Sequence, residues 1–131
     1  MEKKKSFYFK YKKMSENYFS SKNTKIWGPH YWYVFHNISL NYPISPTKET
    51  QRNLKNFIFS IPYFLPYPLC SGSIQLFLEK NNLNLDYAVR SKKDLVYFFF
   101  CLHNFVNRKI GKEEFSIDDF EKKYNFKISW F

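Results

Sequence analysis

The chain has 131 residues and a formal net charge of +10; 44% of its residues are hydrophobic and 23% aromatic. That length suits one domain with its own core, and no apolar run approaches the roughly 20 residues of a membrane span. Two cysteines, Cys70 and Cys101, exclude a disulfide-rich scaffold and fix no redox compartment.

The charge is uneven. Residues 1–25 carry eight Lys and two Glu, a local +6 that leaves +4 for the remainder. This basic arm is expected to be disordered, and is either solvated or in weak contact with a polyanion, nucleic acid or an acidic membrane surface. Phe7, Tyr8, Phe9 and Tyr11 alternate loosely with Lys10, Lys12 and Lys13, a mixture that can stack on single-stranded bases. No apolar stretch follows the basic start, so no secretory signal is expected. The arm holds Lys but no Arg and few acids, which keeps a mitochondrial presequence open. Residues 26–131 are expected to form the folded domain.

Helical periodicity begins near Trp27 and runs to Tyr42. Pro29 is expected in the first turn, and Pro43 and Pro46 end the helix. Gly28, Trp32 and His36 are spaced by four and share one side, with Trp32 and Phe35 as core candidates. Thr47 can cap a second helix, with Glu49 in its first turn. Leu54, Phe57, Ile58 and Ile61 give that helix its apolar stripe. It is expected to reach about Phe64, with Pro62 kinking or ending its regular part.

In Leu65-Pro66-Tyr67-Pro68-Leu69-Cys70 the prolines break one helix and start another. Pro68 suits a first turn, which puts Cys70 there as well. Free N–H groups and the helix dipole at that end favour a thiolate. The other reading of a lone Cys is a small buried hydrophobe. This third helix continues to Glu79, and Asn81 to Tyr87 reads as a polar connection.

A long apolar helix follows, from about Lys92 or Asp94 to Ile110, with Gly111 as its stop. Lys109 and Lys112 near that end complement the dipole. Ser116 can cap a final helix of two turns ending at Tyr124. Strand-like alternation is nowhere sustained, so the pattern is that of a small all-α helical bundle.

The end of the long helix departs from plain core. Phe99, His103, Val106 and Ile110 lie on one 3.6-residue stripe, and His103 and Asn107 share a face. A buried polar group without a partner costs roughly 1–3 kcal/mol. Either neighbouring side chains supply the partners or a bound ligand does. No pair among His30, His36, His103, Cys70 and Cys101 has a usual zinc spacing, so no metal site is expected.

Two stretches carry a resemblance. Gly28-Pro29-His30-Tyr31-Trp32-Tyr33-Val34-Phe35-His36 resembles the G-x-x-x-W-x-x-x-H of the Erv/ALR family of FAD-linked sulfhydryl oxidases. His103-Asn104-Phe105-Val106-Asn107-Arg108-Lys109-Ile110-Gly111-Lys112 resembles the family's H-N-x-V-N-x-x-L-x-K, with Ile110 for Leu. The resemblance covers roughly residues 26–124. It implies a four-helix bundle with a short fifth helix, a homodimer, and FAD in the mouth of the bundle. Gly28, Trp32 and His36 would hold the cofactor from the first helix. His103, Asn104, Val106 and Asn107 would line the flavin and adenine. Lys109 and Lys112 would face the phosphates, and Lys123 and Tyr124 would close over the adenine end.

One departure bears on the chemistry. The family's working centre is a C-x-x-C beside the flavin, and here the register reads Tyr67-Pro68-Leu69-Cys70. The flavin-proximal thiol, Cys70, is kept as the catalytic candidate, but the exchanging thiol is a Tyr, and a phenol forms no disulfide. Where many members carry a structural disulfide this chain has Phe100 and Ile117, which are expected to replace it by packing, with Cys101 a core residue. The resemblance implies thiol oxidation with oxygen as electron acceptor, acting on a thiol-containing protein, with activity impaired by the missing Cys. The alternatives are an inactive FAD-binding dimeric scaffold and a basic nucleic-acid- or membrane-associated helical protein. Family members work in the mitochondrial intermembrane space, the secretory pathway, or the cytosol on viral business.

Overall fold

The computed structural model of the protein describes residues 24–65, 68–80 and 85–128. Nearly all of the basic arm, and Tyr67, lie outside the described residues. Among the described residues six helices follow in chain order: α1 (Thr24–Leu40), α2 (Lys48–Phe64), α3 (Pro68–Lys80), α4 (Leu85–Ala88), α5 (Lys92–Lys109) and α6 (Ile117–Tyr124). The all-α expectation holds among these residues.

Three helix starts are set by side chains. Thr47, Ser91 and Ser116 are N-caps whose hydroxyl oxygens accept from the backbone N–H of Thr50 (3.1 Å), Asp94 (3.2 Å) and Asp119 (3.1 Å). Each such cap stabilises its helix by about 1 kcal/mol. Acidic residues in the same first turns, Glu49, Asp94, Asp118 and Asp119, complement the dipoles.

Pro29 sits deeper than expected, and Pro62 lies inside a helix that reaches Phe64 as the sequence indicates. α1 starts at Thr24, so Pro29 falls in its second turn rather than its first. α2 runs through Pro62 to Phe64, and Pro62 is buried. A proline costs a helix one backbone bond and a local clash; close to a helix end the loss is small, and burial of Ile61 and Pro62 offsets it. Residues 85–88, within the stretch that reads as a polar connection, are helical. Leu85 and Ala88, three apart, both bury and close the single turn of α4.

α5 is the hub, packed against α1, α3 and α4, while α2 packs on α3 and α4. Ile58, Ile74, Leu95, Phe99, Leu102 and Val106 are fully enclosed in the main core. Each such side chain contributes about 1.5–3 kcal/mol of burial. A smaller cluster of Val96, Phe100, Phe120 and Ile128 fastens α6 to the back of α5. Here one expectation is corrected. Phe100 packs on Phe115 and Phe120 at ring distances of 5.5 and 5.6 Å, whereas Ile117, its expected partner, is 37% exposed at the first position of α6. The smaller cluster does the work of a cross-link without Ile117. Cys101 is half-buried against that cluster rather than enclosed in the core.

Candidate functional site: a cleft at the mouth of the bundle

One cleft opens where α1, the start of α3, the end of α5 and α6 meet. It encloses about 170 Å³, less than the roughly 300–1,000 Å³ of small-molecule and cofactor sites. Its walls are mostly apolar: Trp27, Pro29, Tyr31, Phe35, Leu65 and Ile110. Into it come Gly28, Trp32, Cys70, His103, Asn107, Lys112 and Lys123, all expected from sequence. A Cβ built on Gly28 would meet no atom of the described residues within 4 Å, its own helix backbone aside.

His103 lines the cleft, whereas His36, expected there as well, is sealed behind it and does not reach the wall. His36 Nε2 and His103 Nδ1 lie 3.0 Å apart, sharing one proton in a hydrogen bond. His36 is 0% exposed, and its Nδ1 has no partner. Were Nδ1 protonated, a buried N–H would be orphaned, the costlier kind of unpaired group. The favoured arrangement therefore has His36 Nε2–H donating to His103 Nδ1. His103 then carries its own proton on Nε2. Burial is the main cause holding His36 to about 3 and His103 to about 2, and the Lys123 charge pushes both the same way. Both rings are neutral near pH 7. The His103 ring lies flat on Trp32, with centroids 4.1 Å apart and planes 7° from parallel.

Cys70 corrects one expectation. It stands in the first turn of α3, as the sequence indicates, but it is 8% exposed and burial pushes its thiol up to about 12. Desolvation outweighs the helix-end advantage that favours a thiolate. The Lys112 charge acts in the opposite direction.

The end of α5 explains how Lys112 reaches the cleft. The Ile110 N–H donates to the Val106 carbonyl at 3.0 Å. Gly111 then turns to a φ of +78°, a left-handed value that suits Gly, and the Lys112 N–H donates back to the Asn107 carbonyl at 2.8 Å. This Schellman-type reversal folds residue 112 over the helix end.

Other candidates sit elsewhere. Asn104 is 8% exposed and its amide clasps the backbone of Phe115: Nδ2 donates to the carbonyl at 2.9 Å and Oδ1 accepts from the N–H at 3.1 Å. Val106 is sealed in the core. Lys109 lies over the Phe105 ring at 5.4 Å and does not line the cleft. Tyr124 borders a smaller hollow behind His103, with Phe115, Asp119, Phe120 and Lys123. Sequence reasoning did not assign Trp27, Tyr31 or Ile110 to the site. Helical spacing carried a signal for two of them: Tyr31 is four from Trp27, and Ile110 is seven from His103.

A buried thiol, a stacked indole and imidazole, and two lysines line one mostly apolar cleft at the end of a small helical bundle. The chain belongs to the Erv1/Alr family, whose model matches residues 29–125. It is 32% identical over 104 residues to a protein of Invertebrate iridescent virus 6 named as an FAD-linked sulfhydryl oxidase, covering 77% of this chain and 94% of that one. It is 30% identical over 100 residues to a protein of Invertebrate iridescent virus 3 with the same description, covering 76% and 66%. Against the mitochondrial FAD-linked sulfhydryl oxidase of Saccharomyces cerevisiae the identity is 25% over 93 residues, covering 71% of this chain and 47% of the yeast protein.

Proposed function

We propose that the cleft holds FAD and that the protein is a flavoprotein of the sulfhydryl oxidase type, with Cys70 as the thiol at the flavin. The observation that carries this reading is the convergence of Cys70, the Trp32–His103 stack, Asn107, Lys112 and Lys123 on one mostly apolar cleft. The residues present fit the group. The stacked rings offer a flat face, the two ammonium groups suit a pyrophosphate, and Gly28 leaves free space at the wall. When bound, FAD supplies a two-electron acceptor that hands electrons on to oxygen.

The chain's own residues prepare that site. His36 fixes the tautomer of His103, so that its Nε2–H is the donor left for the cleft. Phe35, Leu65 and Ile110 exclude water from the wall. The test is the absorbance of the purified protein: a yellow protein that releases flavin on denaturation is expected, and a colourless one that ignores added FAD would refute the reading.

A second reading, an inactive FAD-binding scaffold, is favoured by Tyr67, because the phenol cannot take part in disulfide exchange. The native chain is expected to give little peroxide from dithiothreitol, and Tyr67→Cys a clear gain. Equal rates in both would mean that the missing thiol is not what limits turnover.

The protein acts as a homodimer through the α1–α2 face. Tyr31, Phe57 and Phe64 surround a groove there and are 36%, 37% and 78% exposed, and clustered apolar exposure of this kind marks association surfaces. Phe64→Glu is expected to shift the sedimenting species from dimer to monomer with its helical circular dichroism unchanged. A wild type that sediments as a monomer would remove this part of the proposal.

A further inference from the structure

A second concavity lies apart from the cleft and shares none of its lining residues. It is an open groove of about 740 Å³ between α2 and α4. Lys48, Arg52, Lys55 and Phe59 recur along α2 every three or four residues, so they share one flank of the helix. Tyr87 and Arg90, in and just after α4, line the groove from the other side. Four cations thus face one carboxylate, Asp86, which pairs with Lys55 and ties the two elements together. Arg90 is held from two sides. Its Nε donates to Asp94 at 2.8 Å, and its guanidinium lies 4.0 Å from the centre of the Tyr87 ring. A guanidinium fixed in this way loses little freedom on gripping a further carboxylate, and its five N–H donors leave others to offer. Asp94 offsets part of that charge, so the excess sits at Lys48 and Arg52. Both are exposed and have no ion-pair partner among the described residues.

We propose that this groove docks an acidic peptide segment of a partner protein, with Lys48, Arg52 and Arg90 taking its carboxylates and Phe59 packing on an apolar side chain. The proposal stands apart from the flavin reading. From Lys48 to Phe59 the wall is about 16 Å long, the reach of about five extended residues. Phe59 is 39% exposed, and Asn56 adds an exposed amide for a peptide backbone. Two features favour a peptide over a nucleic-acid strand. The Asp86 side chain is 76% exposed and repels an evenly charged phosphate chain, whereas the carboxylates of a peptide can be spaced around it. The Tyr87 ring, which could stack on a base, is already covered by the Arg90 guanidinium. The chain's own N-terminal arm carries the same sign of charge as the groove and does not suit it. Phe57 and Phe64, on the face proposed for self-association, lie about half a turn around α2 from Arg52 and Phe59, so a dimer leaves the groove open.

The test is the fluorescence anisotropy of a short labelled peptide, Asp and Glu around one Leu, with the purified full chain at low ionic strength. Arg52→Glu is expected to weaken binding about tenfold, because it turns an attraction into a repulsion. Arg90→Met should weaken it about threefold, and added salt should weaken the wild type. Lys122→Glu makes the same charge change at an exposed position of α6 and should leave the affinity within about twofold. The helical circular dichroism of all three variants should match the wild type. A peptide with a benzophenone in place of the Leu should cross-link within residues 48–59 or 86–90. No binding by the wild type, an equal loss in Lys122→Glu, or a cross-link confined to residues 1–25 overturns the proposal. So does a thymidine oligonucleotide of the same length that binds more tightly and loses its affinity in Arg52→Glu, because the groove would then serve nucleic acid. Flavin content is read in the same samples. A colourless protein with Arg52-dependent peptide binding would fail the flavin reading and uphold this one; a yellow protein that ignores the peptide would do the reverse.

Discussion

The two halves of α5 share one stripe and use it in opposite ways. In the first half Leu95, Val96, Phe99 and Leu102 are all 0% exposed and are held by packing alone. From His103 onward, polar groups enter the same buried surface, and each finds a different partner. Asn104 takes the backbone of Phe115, and His103 takes His36. What is left over is the unpaired Nδ1 of His36 and the open wall of the cleft. A polar residue in an apolar stripe is thus not one signal. Some such residues complete the fold, and others leave something for a guest to complete.

The sharpest way to break this comparison is acid. Both imidazoles titrate far below the ordinary value in the folded chain, at about 3 and about 2, because burial disfavours the cation. The unfolded chain, with ordinary histidines near 6.5, takes up protons first. Stability should therefore be flat above about pH 7, fall as pH drops through 6.5, and keep falling until the folded values are reached. At pH 5 the pair should have cost roughly 2–4 kcal/mol. Urea midpoints measured from pH 7.5 to 5 check this, in a window where most carboxylates do not yet titrate. His103→Leu should roughly halve the slope. A wild-type midpoint constant across the window would mean that the rings are not buried as a neutral pair.

The sequence carried much of the fold, because helical periodicity and capping residues are local signals. Thr47 and Ser116 mark the helix starts that the structure shows, and Gly111 marks the end of α5. Pro29 misled because a proline close to a helix start costs little, so it need not stand in the first turn. Ile117 misled for another reason. Its pairing was carried over from a cross-link, while the ring that meets Phe100 is decided by how α6 lies on α5. At the site, the motif spacing located the right helix ends. It could not distinguish Asn107, which lines the cleft, from Asn104, which clasps a loop, because the difference lies eleven residues on, at the Phe115 backbone.

That last distinction can be measured, with a smaller effect. If Asn104 is a latch, Asn104→Ala leaves the N–H and the carbonyl of Phe115 without their amide partner. The expected loss is about 1–3 kcal/mol, lower than the sum for two fully buried groups because water reaches part of this loop. Asn104→Asp keeps the acceptor for the Phe115 N–H but loses the Nδ2 donor, so it should fall between. Denaturation midpoints give the ranking, and flavin retained per folded chain gives the control, which should change little. Should Asn104→Ala keep its midpoint and shed its flavin, Asn104 would join His103 and Asn107 as a residue awaiting a guest.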